Sequence, residues 1–461
     1  MILMCVILIL ALGVFQFASL DASLATHHLS RSQAFYIAEG GLDRCQTWLE
    51  AQIDPPAGAD TLYPSGFAPY QFADGAVLQW IVPDAAAPGT YTVVSEATVG
   101  THTRRLAVDV TAGLFSDFLY FTNTEHMPGG GNPLWFCTGD VVDGPLFTND
   151  QISICGDPRF LHGVASAYGG PGDRNRNHNA AFYYSNGTGQ GNNGIESTAE
   201  SNPPHDNPYF GDGYVLGANW VIYPRLPSVF DFRALARSGG IDLAGSYEVV
   251  FARPHPVTGQ PMHGHVSYRK SGRPWSDVSI ASTNGIMFVN GGVSVQGVLD
   301  GRFTIVTNGA ITITDDVRYR ASDANGPLDG CDDMLGLLSG GDIVIANNAA
   351  NQDNCVVHAA MMALCNSLYA GNWNTGSPRG SLTVWGSIVQ SFRGSVGTAT
   401  LSNGQVVVLT GYAKDYHYDW RLQEEYPPGF YRFLKTGMFR RTGWLEIPQA
   451  ELGYAPTRNA G

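Results

Sequence analysis

Met1-Ile-Leu-Met-Cys-Val-Ile-Leu-Ile-Leu-Ala-Leu-Gly-Val-Phe-Gln-Phe-Ala-Ser-Leu20 contains no charged residue, and how it continues decides the reading of the chain. Twenty helical residues at about 1.5 Å each cover the roughly 30 Å hydrocarbon core of a bilayer. A cleaved signal peptide would carry a basic start, a shorter apolar run and a small-x-small cleavage site, features that this stretch lacks. Beyond it, Leu24, His28, Arg31, Phe35, Ala38, Leu42, Cys45 and Leu49 recur at three- and four-residue spacing, with no proline before Pro55. The expectation is one helix over residues 1–52, apolar all round at its start and amphipathic toward its end.

With 461 residues the chain exceeds what one compact core usually holds. Charged residues make up only 14%, and 56 glycines favour turn-rich β structure over helical bundles. The 26 Lys and Arg against 40 Asp and Glu give a net charge of -14, which would repel a phosphate backbone outside any local basic patch. After a Pro-, Gly- and Ala-rich linker at 53–66, strand-like runs at 76–82, 90–99 and 102–110 are separated by Pro-Gly and Gly-Thr turns. Three strands leave an open edge, so a last strand is expected far downstream. The expected fold class is therefore α+β: a helix (1–52) on a small antiparallel sheet (67–112 and 429–447), interrupted by a large mostly-β insertion (113–428).

Within the insertion, Gly285-Ile-Met-Phe-Val, Gly292-Val-Ser-Val-Gln-Gly-Val-Leu, Arg302-Phe-Thr-Ile-Val, Gly309-Ala-Ile-Thr-Ile-Thr and Gly341-Asp-Ile-Val-Ile-Ala are short β runs punctuated by Gly and Asn. Such spacing predicts a parallel β-solenoid, in which each coil adds a few apolar residues to a shared core and turns at residues that tolerate left-handed backbone. A β-sandwich is the structural rival.

The stem, with Arg31-Ser-Gln-Ala-Phe-Tyr-Ile-Ala-Glu-Gly-Gly-Leu-Asp-Arg44, resembles type IV minor pilins and pseudopilins. That resemblance implies a helix that anchors the chain in the inner membrane before assembly and packs against other pilin subunits afterwards, with Phe35, Glu39 and Leu42 as filament-packing residues. Two departures are visible: no basic leader ending in Gly precedes Met1, suggesting a processed or downstream start, and no acidic residue lies near the start of the apolar run, as the family implies for a tip subunit. The insertion resembles a poorly characterised family of bacterial pilus-associated ectodomains through Gly144-Pro-Leu-Phe-Thr-Asn-Asp150, Asp333-Met-Leu-Gly336, Ser339-Gly-Gly-Asp-Ile-Val-Ile345, Gly386-Ser-Ile-Val-Gln390 and Asp415-Tyr-His-Tyr-Asp-Trp-Arg-Leu422.

Several constellations are candidate sites. Asp323, Asn325, Asp329, Asp332 and Asp333 crowd one loop with the oxygens that a calcium ion needs, without the spacing of an EF-hand. Calcium is the one candidate cofactor, against solvated acids in a capped turn. In Lys414-Asp-Tyr-His-Tyr-Asp419, strand alternation would put Asp415, His417 and Asp419 on one face, either as a catalytic cluster or as a hydrogen-bonded closing strand. Arg432, Lys435, Arg440 and Arg441 interleave with aromatics in a way that suits nucleic acid, and equally suits a final strand facing the helix. In an oxidising compartment Cys137 can pair with Cys155, and Cys331 or Cys365 with Cys355.

The reading that results is a non-enzymatic minor pilin or pilus-tip subunit, single-pass in the inner membrane with an extracytoplasmic C-terminal domain. It would display a β-solenoid for adhesion, ligand recognition or filament initiation, toward a glycan, surface or DNA partner. A DNA-binding pilin of DNA uptake and a membrane-tethered β-helix carbohydrate-active enzyme are the alternatives.

Overall fold

The structure, a computed structural model, describes residues 2–51, 70–72, 75–84, 90–113, 115–129, 134–155, 157–168, 183–185, 191–193, 208–218, 220–221, 223, 231–402, 405–430 and 439–447. The chain forms two compact units, Met1–Gly113 with Arg432–Gly461, and Leu114–Tyr431.

In the first unit, α1 (Ile2–Ala51) is one continuous 50-residue helix. Ala34, Ala38, Leu42, Cys45 and Leu49, three and four residues apart, form a fully buried stripe on one face. This stripe packs on an antiparallel sheet ordered β1 (Tyr70–Phe72), β2 (Gly75–Pro83), β3 (Thr90–Val99), β4 (His102–Ala112) and Phe439–Glu446. Val77, Ile81, Tyr91, Val93, Leu106, Val108 and Val110 supply the sheet's half of the core. The edge of β4 is closed by the strand that follows the second unit, from Phe439 opposite Ala112 to Glu446 opposite Leu106. β1 was not foreseen, because three residues are too few to show a period.

Two adjacent glycines inside a helix are costly, at about 1 kcal/mol each relative to alanine. Only one of them has a packing reason. A Cβ on Gly41 would overlap the Ser95 hydroxyl on β3 and crowd Gln79 and Val77. The Gly41 carbonyl also accepts from Gln79 Nε2 at 2.7 Å. Gly40 faces open space.

The second unit is built on parallel pairing. Ile241, Met287, Ile305, Leu337, Met361, Ile388, Tyr120, Leu146, Val164 and Tyr214 stand opposite one another across ten successive parallel strands. A second parallel ladder aligns Val317, Val357, Val384, Tyr416, Val142, Phe160 and Phe210. Two of the glycines expected to mark turns, Gly309 and Gly341, stack with Gly291 and Gly245 at one corner. A Cβ on Gly291 would run into Gly245, one on Gly309 into Gly291, and one on Gly341 would touch Gly309. Hydroxyls reinforce this corner: Thr307 donates to the Gly291 carbonyl, and Ser339 Oγ to the Gly309 carbonyl at 2.8 Å. Antiparallel pairs also occur among the described residues: His265–Arg269 lies between Tyr247–Phe251 and Ser276–Ser279, and Gly397–Ser402 runs along the start of Gln405–Tyr418.

The ladder does not follow chain order. The chain enters at Tyr120–Thr124, in the middle of the stack, builds outward to Tyr214–Leu216, and resumes at Ile241–Ala244 at the opposite end. It then returns to Pro378–Phe392, which pairs with the entering strand. At this seam Arg393 Nη1 donates to Glu125 Oε2 at 2.9 Å, with side chains 3% and 0% exposed. Arg393 also donates to the carbonyls of Leu134 and Trp135, and its guanidinium lies 3.7 Å from the centre of the Phe136 ring. Burial pushes the Glu125 carboxyl up, and the Arg393 charge opposes the shift.

Two outcomes are expected from these contacts. In thermal unfolding of the full chain, Gly41→Ala should destabilise the helix–sheet unit by about 1–3 kcal/mol through overpacking, whereas Gly40→Ala should stabilise it by up to about 1 kcal/mol. Arg393→Met, which strands a buried carboxylate, should cost the second unit about 3–5 kcal/mol in urea unfolding, and adding Glu125→Gln should restore part of that loss.

Candidate functional site

The first half of α1 is the feature that most needs a partner. Ile2, Leu3, Met4, Leu8, Phe15 and Phe17 are all more than half exposed, and the apolar surface continues to Leu29. A water-soluble surface rarely presents apolar area on this scale. This is one helix long and apolar enough to cross a membrane. Asp21 is the only Asp, Glu, Lys or Arg before Arg31.

Where the stem meets the sheet, polar groups take over. The His27 and His102 rings meet at 2.8 Å between Nδ1 and Nε2. The Phe35 ring lies 5.9 Å from Trp444 on the C-terminal strand. Of the three residues expected to pack a filament, Leu42 is fully buried on the chain's own sheet, which removes it from contact with a neighbour. Phe35 is partly buried against the same core, and Glu39 is half-buried.

The candidate nucleic-acid patch divides. Arg432 and Lys435 lie outside the described residues. Arg440 stands opposite Thr111 in the sheet. Arg441 pairs with Asp43 of α1 and donates to Gln46 Oε1 at 2.7 Å, so its charge is used at the joint.

The acidic loop does not assemble a cage. Asp333 is buried and turned inward, its two oxygens accepting from the backbone N–H groups of Gly301 and Ala321 at 2.6 and 3.0 Å. Asp323 caps the N–H of Asn325 at 2.7 Å. Asp323, Asn325, Asp329 and Asp332 are exposed. Among the described residues no group of three or more His, Cys, Asp or Glu is arranged to hold a metal. Backbone capping has taken the one acid that reaches the interior.

The cysteines separate in the same way. Cys137 and Cys155 occupy opposite positions of adjacent parallel strands. Cys331 and Cys355 do not pair, and each is a free thiol. The Cys331 thiol is held 3.7 Å from the Asp333 carboxylate, and the Cys331 carbonyl accepts from Arg421. Cys355 points into the core opposite Leu382. Its thiol is pushed up to about 12, mainly by burial and then by Asp316 and Asp315.

One constellation is richer than its sequence suggested. Asp415 and His417 do share a face, with His417 Nε2 at 2.9 Å from Asp415 Oδ1. The other His417 nitrogen reaches Asp143 at 3.2 Å. Asp143 in turn meets His162 at 3.2 Å, and His162 meets Asp212 at 3.2 Å. Trp385 stacks on His417 with centroids 4.3 Å apart, and Thr383 donates to Asp415. Asp419 is not part of this row, because the strand ends at Tyr418 and Asp419 caps the following turn and pairs with Arg421. Asp143, His162 and Asp212 were missed because only the cross-strand register brings them together. In this row an imidazole fills each gap between carboxylates, where an acid–base pair acting on a substrate would need open space.

Comparisons with known proteins add little beyond this. Residues 88–168 match a family described as "Domain of unknown function (DUF4900)", a segment that includes β4 and the strand entering the second unit. No curated protein matches the chain. Among solved structures, the crystal structure of the competence-associated pilin ComZ from Thermus thermophilus matches over 91% of this chain and 97% of its own, at 13% identity and a TM-score of 0.32. A score that low transfers no residue roles.

The thiol assignment can be checked by mass. Alkylation of the denatured, unreduced chain should modify both Cys331 and Cys355. In the native chain at pH 8 Cys355 should stay unmodified, since burial and a thiol near 12 leave only about one thiolate in 10⁴. A disulfide-linked peptide containing both residues would overturn the assignment.

Proposed function

We propose that this chain is a non-enzymatic, pilin-like subunit. The α1 stem would hold it in the inner membrane and join it to other pilin-type subunits. The second unit, read as a parallel β-solenoid, would be displayed outside the cytoplasm for recognition or for starting a filament. One observation carries this reading: a single continuous helix exposes apolar side chains along its first half and buries an amphipathic stripe on an antiparallel sheet along its second. A helix of this kind cannot be satisfied by its own chain, and bilayer or neighbouring apolar helices are the environments that match it. The solenoid reading draws on the ten-strand parallel register and the stacked corner glycines, which resemble coils repeating around one core. The engagement of Arg441 with Asp43 argues against the C-terminal strand as a DNA surface.

Fractionation of cells producing the full chain tests the proposal. The chain should be recovered with membranes, and with filaments sheared from cells that assemble them. Leu10→Arg, placed in the middle of the apolar run at about 2.5–3.5 kcal/mol of insertion cost, should move it out of both fractions. Recovery of the unaltered chain as free soluble protein, indifferent to Leu10→Arg, would sink the reading.

A further inference from the structure

Just above the stem, α1 and β4 enclose an open notch of about 320 Å³ lined by His28, Arg31, Ser32, Phe35, Tyr36 and Arg104. The five α1 residues follow the i, i+3, i+4, i+7, i+8 pattern of one helix face. Arg104 on β4 is answered by Glu446, yet its Nε is buried and has no hydrogen-bond partner. Arg31 is exposed and has no carboxylate partner among the described residues. Between Asp21 and Glu39 the helix carries no acid. A buried guanidinium N–H without an acceptor, beside an arginine without a counter-ion, marks a place that an anion would satisfy.

The donors exceed what one carboxylate accepts. Two guanidiniums from different elements, the His28 ring and the Ser32 and Tyr36 hydroxyls suit the several oxygens of a phosphate group, which arginine binds through paired N–H bonds. Position indicates the source of the phosphate. His28 and Arg31 follow Leu20, the last residue of the uncharged run, by about 12 and 16 Å along the axis. Side chains of a helix lean toward its N-terminus, here toward the apolar half, and long basic side chains reach the headgroup layer in that way. Asp21 precedes His28 by about 10 Å, a distance at which salt screens most of its repulsion.

We infer that the notch binds the phosphate group of an anionic phospholipid, in the leaflet nearest the small sheet. This site rests on the membrane reading above and deepens it: the helix that crosses the hydrocarbon core also holds a headgroup where it leaves the bilayer. Arg104 is the selective element. Its strand and Glu446 fix it in place, so the headgroup meets donors assembled in advance, and the contact ties β4 as well as α1 to the membrane. A free phosphate compound presents the same oxygens but has no acyl chains to lie along the exposed apolar stem, which makes it the weaker ligand.

The test titrates the full chain, in a neutral detergent free of phosphate, with phosphatidylglycerol, with diacylglycerol of the same chains and with glycerol phosphate, counting bound ligand by native mass spectrometry. One phosphatidylglycerol per chain should be held about ten-fold more tightly than diacylglycerol, and more tightly than glycerol phosphate. Arg31→Gln and Arg104→Lys should each weaken the lipid by about ten-fold. Arg273→Gln, which removes an equal charge from an exposed position in the second unit, should leave it unchanged. Arg104→Lys keeps a cation facing Glu446, and the exposed Arg31 keeps the test decisive should that variant unfold. Phosphatidylglycerol held no more tightly than diacylglycerol, or indifferent to both notch substitutions, would overturn the site. Glycerol phosphate bound as tightly as the lipid, and lost in both variants, would overturn the lipid as the source in favour of a soluble phosphate compound. Absence of the unaltered chain from membranes would overturn the membrane reading and the lipid with it, whereas failure of the titration for a chain found in membranes would overturn the notch alone.

Discussion

The second unit depends on a seam between segments about 270 residues apart. Ile388 and Tyr120 sit opposite each other in neighbouring parallel strands, and the hydrogen bonds between those strands join two stacks that the chain builds separately. Around them, Gln390 Nε2 donates to Tyr120 Oη at 2.9 Å, Ser387 Oγ to the Phe118 carbonyl, and Arg393 to Glu125. Without this seam each stack would end in an open row of backbone groups, the most vulnerable feature of any sheet. The buried ion pair belongs here for a physical reason. Parallel strands pair in any register that buries apolar faces, but a buried guanidinium that must satisfy one carboxylate and two carbonyls fits only one.

The first unit is organised by a different constraint, the depth at which α1 sits on its sheet. Gly41 lets the helix approach β3 until its own carbonyl is within reach of Gln79, and the alanines and leucines of the stripe then fill the space on either side. Closing the sheet with Phe439–Glu446 makes this small unit depend on the chain having passed through the second unit first. An insertion placed this way can vary in size without disturbing the helix, since only its two ends must return to one sheet edge.

Both units contain polar groups whose roles are structural. Asp333 and Asp419 look like site residues in a list of acids, yet each caps backbone or pairs with arginine. His358 is similar: it is fully buried, its Nδ1 accepts from the Tyr319 N–H at 3.2 Å, and burial pushes it down to about 4. The row of Asp415, His417, Asp143, His162 and Asp212 is the exception, because its side chains are partly exposed and it runs from two neighbouring strands onto two turns.

From the amino-acid order alone, the stem was legible as far as Leu49, because a 3.6-residue period and an unbroken apolar run are local signals. The short β runs and their glycine punctuation were legible for the same reason, each being written within a dozen residues, whereas the late closing strand was expected because three strands leave an edge open. Tertiary structure decided the rest. The entering strand's place in mid-ladder, the Arg393–Glu125 pair and the meeting of Asp143 with His162 and His417 all depend on register between segments far apart, and no local period encodes register. Residue type alone could not say whether an acid would gather metal or cap a backbone N–H, or whether Arg441 would face outward or reach Asp43. Those outcomes are set by which groups the fold leaves unsatisfied nearby.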